Sequence, residues 1–218
     1  MNSPDLLAEA YRPLLQFAEQ VDEKQGWIAS LLPGWTVRDL LFHLANDCQR
    51  ALVALSTPAA EKADTNEVTY WSEWKPGGDG TQASLRGTRI MATAWTSIRG
   101  PADLYLETAR AVLYAAAHAN LETVVGTQNR RLTVDSLLRT LAVEAVVHHT
   151  DLEPALPNAP ATSGLLEVRR VLDRLLGEPA PEEWDDIRYI RIATGRLPLN
   201  TEEQATLGPL ARRLPLFG

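Results

Sequence analysis

Apolar residues recur at helical spacing along most of the chain, so the pattern predicts helices far more often than strands. In the first segment, apolar side chains follow one another at intervals of three and four residues from Leu6 to Val21, which is the spacing of one helix face. Ser3 and Pro4 precede this run as an N-cap and a first helical residue. We therefore predict a first helix that ends near residue 23.

A second helix is predicted after the break at Pro33 and Gly34. Thr36 is a good N-cap for it, because a threonine hydroxyl can accept a hydrogen bond from the unpaired backbone N–H groups of the first turn. Asp39 stands three residues later, where a capping-box carboxylate returns the hydrogen bond. The apolar pattern extends this helix to about Leu55.

The remaining pattern predicts further helices and two interruptions. The predicted helices are, in chain order, about 83–98, 101–118, 133–156, 163–176, 182–193 and 201–211. Residues 57–82 form a long connection that contains several Pro and Gly residues, and such connections are usually functional or partly disordered. The polar residues 122–132 include scattered β-formers, so a short strand or hairpin is predicted there beside the helices.

Because strands are scarce, the predicted fold class is all-α. We expect an up-and-down helical bundle with a short helical C-terminal extension. Pro154, Pro157 and Pro160 end the last helix of the bundle and form a linker. The predicted domains are therefore a bundle over 1–157 and an extension over 158–218 that packs on it.

Composition and charge argue against several functions. The 218 residues carry 21 Lys and Arg against 28 Asp and Glu, a net charge of −7, and the arginine pairs are isolated. Nucleic-acid binding needs a basic face, so no nucleic-acid partner is expected. The apolar runs are shorter than the roughly 20 residues that span a bilayer, and no signal-peptide pattern opens the chain. We therefore expect a cytoplasmic protein with no membrane partner. Cys48 is the single cysteine, so no intrachain disulfide is possible.

Glu144 and His148 are the clearest candidates for chemistry. They stand four residues apart on one predicted helix, so their side chains lie one turn apart in height and about 40° apart on the same face. Apolar neighbours indicate that this face points inward, and a buried carboxylate is costly unless it is paired or bound to a cation. No Lys or Arg lies three or four residues from Glu144. A metal ion would remove that cost.

Other polar residues nearby have weaker cases. His149 is five residues from the carboxylate, about 140° away around the helix, and is not expected to be a co-ligand. Asp151 follows His148 by three residues and is either an acceptor that orients the histidine or a surface carboxylate. His43, taken alone, is either a ligand or a core histidine. Asp47 follows it by four residues and is a candidate for a similar orienting role.

Two segments of the sequence resemble a known family. Residues 33–45, PGWTVRDLLFHLA, resemble a signature of the mycothiol-dependent maleylpyruvate isomerase N-terminal domain, which belongs to the DinB/YfiT-like superfamily of four-helix metalloproteins. Residues 144–152, EAVVHHTDL, resemble the second half of that signature, a Glu-x-x-x-His helix that ends in Asp-Leu. The two motifs occur in the family's order, and the resemblance covers about residues 5–156.

The resemblance implies the ligands and the chemistry. It implies that His43, Glu144 and His148 hold a metal ion between the second and last core helices of the bundle. Two imidazoles and one carboxylate suit zinc, with an open position for water or substrate, and nickel, iron or manganese would also fit. In the isomerase, a metal-bound low-molecular-weight thiol adds to a conjugated double bond, which then rotates.

The C-terminal tail departs from the family pattern. The isomerase has an α/β second domain that supplies an arginine to the substrate, whereas the residues after Ala161 are predicted to be helical. The stretch 193–199 resembles the tails of other short family members. Arg196 in that stretch is the candidate replacement for the missing arginine. The alternative is a turn arginine that binds helix-end carbonyls.

Three functions follow as hypotheses. The first is a metalloenzyme that uses a mycothiol- or bacillithiol-like thiol to transfer to, or isomerise, a small electrophile, with Tyr70, Trp71 and Trp74 as candidate walls of the thiol and substrate pocket. The second is a metal-dependent hydrolase, with Asp47 or Asp151 as the general base. The third is a non-catalytic metal-binding or stress protein. The alternative interpretation of the three aromatic residues is that they attach the long connection to the bundle.

The expected partner is a small-molecule substrate, and a homodimer is a further possibility. Trp95 and Ile98 are apolar residues that would form a dimer surface if they were exposed. The alternative for both is the core, since the apolar pattern alone does not separate a dimer surface from an internal face.

Overall fold

The computed structural model describes residues 1–74 and 79–217, so part of the predicted connection over 57–82 lies outside the described residues. The helices in the described residues are α1 (Ser3–Gln20), α2 (Glu23–Gly26), α3 (Val37–Leu55), α4 (Asp79–Ala92), α5 (Arg99–His118), α6 (Val134–Asp151), α7 (Thr162–Leu176), α8 (Asp186–Ala193) and α9 (Thr201–Leu207). Short 3-10 helices cover Thr69–Glu73 and Gly208–Arg213, and the strands are β1 (Val124–Thr127) and β2 (Arg130–Thr133).

Four long helices form the bundle. α3 packs on α5, α1 packs on both α5 and α6, and α6 closes the arrangement against α3. Side chains from all four meet in one buried apolar cluster, among them Leu14, Leu40, Tyr105 and Leu138. The prediction of an all-α bundle is confirmed.

The first helix begins and ends differently from the prediction. Its N-cap is Asn2, whose Oδ1 accepts a hydrogen bond from the backbone N–H of Asp5 at 2.8 Å, so Ser3 is the first helical residue. The helix ends at Gln20, short of the predicted residue 23. Asp22 explains this end, because its side chain caps the separate short helix α2.

The ends of two later helices also differ from the prediction. α4 ends at Ala92, whereas the prediction extended it to 98, and turns lead into α5. α6 ends at Asp151, where the prediction extended it to 156. The polar stretch 122–132 contains a hairpin in which β1 pairs with β2 in antiparallel register. Gln128 and Asn129 form its turn with φ of 50° and 62°, as a two-residue turn between twisted strands requires.

The C-terminal extension continues the same core. α7 packs on α6 and α1, and α8 packs on α7 and α6. Gly164 permits the close contact with α6, because an added Cβ would lie 2.6 Å from Val146 Cγ2. The backbone N–H of Leu216 donates to the carbonyl of Ala193 at 2.7 Å, and Phe217 is buried. The last described residues are therefore held against α8 and the core.

Two residues considered for a dimer surface differ in exposure. Ile98 is 1 % exposed and belongs to the core, so it offers no surface to a partner, whereas Trp95 is 39 % exposed. A homodimer stays a prediction. In the part of the chain that the structure describes, no helix combines the length and the apolar character needed to cross a membrane.

The N-cap of α6 gives a testable contribution to stability. Thr133 Oγ1 accepts a hydrogen bond from the backbone N–H of Ser136 at 3.2 Å. We expect Thr133→Ala to lower the free energy of unfolding by about 1 kcal/mol, because one N–H of the first turn loses its acceptor. Thr133→Ser keeps the hydroxyl and is the matched control. Urea unfolding of both variants checks the expectation, and equal stabilities would contradict it.

Candidate metal centre

Three side chains from two helices converge inside the bundle. α3 carries His43, and α6 carries Glu144 and His148 one turn apart. Glu144 Oε1 lies 3.0 Å from His43 Nε2 and 3.3 Å from His148 Nε2. One potential ligand atom from each residue lies within 4.8 Å of the other two. The predicted ligands are thus brought together as a compact set of two nitrogen donors and one oxygen donor.

The sequence before α3 explains where His43 points. Gly34 takes a φ of 78°, which a residue with a side chain rarely adopts. The backbone N–H of Thr36 donates to Asp39 Oδ2 at 2.8 Å, so the predicted capping-box carboxylate is in place. Trp35 is buried, and its ring meets the His43 imidazole edge-on, with the ring centroids 5.5 Å apart. The turn, the cap and the indole together fix the start of α3 and the imidazole.

A second chain of contacts fixes His148. Its Nδ1 donates to Asp151 Oδ2 at 2.9 Å, which leaves Nε2 directed at Glu144. Arg196 binds both oxygens of Asp151, through Nε at 3.1 Å and Nη2 at 3.0 Å. The side chains of Asp151 and Arg196 are 0 % and 7 % exposed. A buried ion pair therefore links the C-terminal extension to the second histidine.

The protonation states follow from these contacts. Burial lowers the pKa of His43, and the nearby imidazole of His148 adds to this. Burial acts in the same direction on His148, but the hydrogen bonds to Asp151 and Glu144 outweigh it and raise the pKa to about 9. For Glu144, burial would raise the pKa, yet the hydrogen bonds from the two histidines hold it well below its usual range. Positive charge beside the Glu144 carboxylate is thus supplied by a protonated imidazole when no metal is bound.

The donor set fits a divalent cation of intermediate hardness. Two imidazole nitrogens and a carboxylate oxygen are the ligands of many open zinc sites. Among the described residues, Glu144 has no Lys or Arg as an ion-pair partner, and its contacts are the two imidazoles. The Nδ1 hydrogen bond of His148 selects the tautomer whose Nε2 lone pair faces the centre, which is the arrangement that metal-bound histidines usually show. The residues present therefore fit such an ion.

Asp47 is a fourth polar group at the same place. Its Oδ2 lies 3.2 Å from His43 Nε2, although the geometry is not that of a hydrogen bond, and the atom is buried without a hydrogen-bond partner among the described residues. Its Oδ1 is bound by Arg50. Asp47 thus keeps one acceptor oxygen beside the converging ligands, whereas both oxygens of Asp151 are already engaged.

His149, which the spacing excluded as a ligand, and Cys48 both lie away from the candidate ligands. The Nε2 of His149 lies 2.8 Å from the carbonyl oxygen of Asn158, away from the three ligands. Cys48 is buried beside Tyr11, with 3.5 Å between its Sγ and the tyrosine hydroxyl. Neither side chain contributes to the candidate centre.

A cavity of about 240 Å³ opens on the candidate ligands. The three aromatic residues proposed as pocket walls, Tyr70, Trp71 and Trp74, line it together with Asp47 and Arg196. Asp151 is not among the lining residues, because it lies beneath His148.

Sequence reasoning missed Phe217 as part of this cavity. Its ring stacks on Trp71, with the ring centroids 4.5 Å apart. It comes from the far end of the chain, and no local pattern marks it. Trp35 and Arg50 also line the cavity, and Trp35 belongs to the PGW motif that could have indicated it.

Comparison with known proteins agrees with the two sequence motifs. A family model described as "Mycothiol maleylpyruvate isomerase N-terminal domain" matches residues 7–153, which is more than half of the chain. The matched region extends from α1 past the end of α6, so it contains all three candidate ligands. No curated protein and no solved structure matches the chain.

Proposed function

The chain belongs to the mycothiol maleylpyruvate isomerase N-terminal domain family, and from that premise we propose that it is a metal-dependent enzyme that uses a low-molecular-weight thiol. The reaction is the transfer of the thiol to a small electrophile, or the isomerisation of that electrophile. The observation that carries the proposal is the convergence of His43, Glu144 and His148 at the wall of a cavity large enough for a small molecule.

His43, Glu144 and His148 would hold the cation, for which zinc is the best candidate. A bound zinc ion supplies a positive charge that lowers the pKa of a coordinated thiol, so that sulfur is present as thiolate near neutral pH. With three protein donors, such an ion would keep a position free for that sulfur. The donor set supports zinc over magnesium or calcium, which prefer oxygen ligands alone.

The surrounding residues of the chain orient the two imidazoles and exclude bulk water. Asp151 and Arg196 hold the imidazole of His148 in one orientation, and Trp35 does the same for His43. Asp47 Oδ2 is the acceptor that faces the centre, so it is placed to receive the hydrogen of a thiol S–H. The apolar cavity walls keep bulk water from the electrophile, which favours attack by sulfur over hydrolysis.

The bond changes balance without a further reagent. When the thiol adds to a conjugated carbonyl compound, the S–H bond and the C=C π bond break, an S–C bond forms at the β-carbon, and the proton ends on the α-carbon. In isomerisation, rotation about the former double bond precedes cleavage of the S–C bond, and the thiol is regenerated. In displacement, the leaving group departs with the bonding electron pair as the S–C bond forms.

The single cysteine should not interfere with a thiol assay. Cys48 is buried on α3 within the bundle core, and burial raises the pKa of its thiol to about 11. Because the thiolate is the reactive form, this side chain is a poor nucleophile in the folded protein.

Adduct formation tests the proposal. Zinc-loaded protein is mixed with mycothiol or bacillithiol and the electrophile monobromobimane, and the fluorescent thioether is followed. We expect a rate well above that of the metal-free protein and of His148→Ala. His118→Ala is the matched control, because His118 is an exposed histidine on α5. Equal rates with and without zinc would refute the proposal.

A second candidate is hydrolysis of small esters or amides by the same centre. The buried, unpaired Oδ2 of Asp47 is the observation in its favour, since a general base must lie within reach of an attacking water. Ester or amide turnover in the absence of any thiol, lost in Asp47→Asn, would favour this candidate over the first.

A further inference from the structure

We propose that the cavity beside the candidate metal centre binds an uncharged, planar, conjugated carbonyl compound, and that Trp71 and Phe217 form the wall on which it packs. The inference names the electrophile class of the proposed thiol reaction and rests on that function.

The walls are mostly apolar and partly flat. Leu137, Leu141 and Val147 of α6 line one part of the cavity. Trp71 and Phe217 line another part as a stacked pair whose planes are inclined by 25°. Aromatic faces bind flat conjugated groups well, because offset stacking adds to the burial of apolar surface. The walls therefore favour a planar and apolar ligand.

Two indole N–H groups in these walls lack acceptors within the part of the chain that the structure describes. Nε1 of Trp71 and Nε1 of Trp74 are buried and have no hydrogen-bond partner among the described residues. Leaving a buried donor unpaired costs about 1–3 kcal/mol, and indole N–H groups usually find a partner when buried. A carbonyl oxygen on the bound electrophile would supply the missing acceptor.

The charges disfavour a carboxylate on the ligand. Two arginines line the described part of the cavity, and both are already paired. Arg196 binds both oxygens of Asp151, and Arg50 binds Asp47. A carboxylate buried in this cavity would have to compete with one of these pairs, with Glu144 for the imidazoles, or with the thiol for the metal ion, and each is costly.

Arg130 does not change this conclusion. Its guanidinium carbon lies over the rings of Tyr70 and Trp74, 5.2 and 5.5 Å from their centroids. It is not among the residues that line the cavity. Its contact with the two rings instead holds part of the aromatic wall in place.

A binding comparison tests the inference without any thiol. The probes are 4-phenylbut-3-en-2-one, which is uncharged and planar, and the same compound with a para-carboxylate. Binding to the metal-free protein, in which no cation is available to the carboxylate, is followed by quenching of tryptophan fluorescence. We expect the uncharged ketone to bind at least tenfold more tightly than the carboxylate. Equal or tighter binding of the carboxylate would overturn the inference.

Variants test the two residues of the aromatic wall separately. Phe217→Leu keeps the core filled but removes the stacked ring, and Trp71→Phe keeps a ring but removes the indole N–H. We expect each to weaken binding of the ketone about two- to tenfold, the range set by one hydrogen bond or one aromatic contact. Trp27→Phe is the matched control, because Trp27 is 59 % exposed and outside the cavity lining. Unchanged affinity in both wall variants would overturn the assignment of the wall.

The outcome also separates this inference from the proposed function. If the ketone binds preferentially but forms no thiol adduct, the substrate class stands and the thiol chemistry fails. If thiol adducts form with the carboxylate in preference to the ketone, the chemistry stands and the substrate class fails.

Discussion

Glu144→Gln is expected to reduce bound zinc from a stoichiometric amount to less than about one tenth, because it removes the one anionic donor of the centre. Loss of a group that merely orients a metal ligand weakens binding about 10–100-fold, so loss of a direct ligand should cost more. The amide has nearly the same shape as the carboxylate, so the bundle should stay folded. Elemental analysis after dialysis against buffered zinc measures the effect.

His43→Ala and His148→Ala should give the same loss of zinc. His118→Ala, which changes an exposed histidine on α5, should retain the wild-type zinc content. Zinc should raise the melting temperature of the wild type and the control, since a ligand that binds the folded state stabilises it by RT ln(1 + [L]/Kd). If Glu144→Gln keeps stoichiometric zinc, the carboxylate is not a ligand.

Asp151→Asn is expected to have the largest effect on stability. It leaves the guanidinium of Arg196, which is 7 % exposed, without its ionic partner. Removing one member of a buried ion pair typically costs about 3–5 kcal/mol, because the other charge stays buried and uncompensated. Unfolding of the metal-free protein by guanidinium chloride measures this loss of stability directly.

The same substitution should weaken zinc binding. Asp151 accepts the Nδ1 hydrogen of His148, so its loss frees the imidazole to rotate and to change tautomer. We expect zinc affinity to fall about 10–100-fold. Glu19→Gln breaks the exposed ion pair with Arg110 and is the control, with an expected cost below about 1 kcal/mol. A similar small cost for Asp151→Asn would contradict the role given to the buried pair.

Much of the fold could be predicted because it is encoded locally. Helical spacing of apolar residues and the Thr36 cap located the start of α3, and the spacing also located the start of α6 near residue 133. The helix ends that were predicted wrongly depend on competing local signals. Asp22, for example, caps a new helix and so ends α1 early.

In the candidate site too, local features could be predicted from the sequence and long-range contacts could not. Glu144 and His148 lie on one helix, so their spacing alone indicated a shared face. His43 is on another helix, and only the family resemblance, which the family match confirms, related it to them. The pairing of Arg196 with Asp151 spans 45 residues, and the stacking of Phe217 on Trp71 depends on the path of the last segment. Long-range contacts of this kind leave no periodic trace in a sequence.

One titration tests the central claim most directly. Protein loaded with cobalt(II) in place of zinc is titrated with mycothiol or bacillithiol, and the near-ultraviolet and visible spectra are recorded. The account predicts a sulfur-to-cobalt charge-transfer band that saturates at one thiol per bound cobalt and does not form with Glu144→Gln. Stoichiometric cobalt whose spectrum is unchanged by saturating thiol would contradict it.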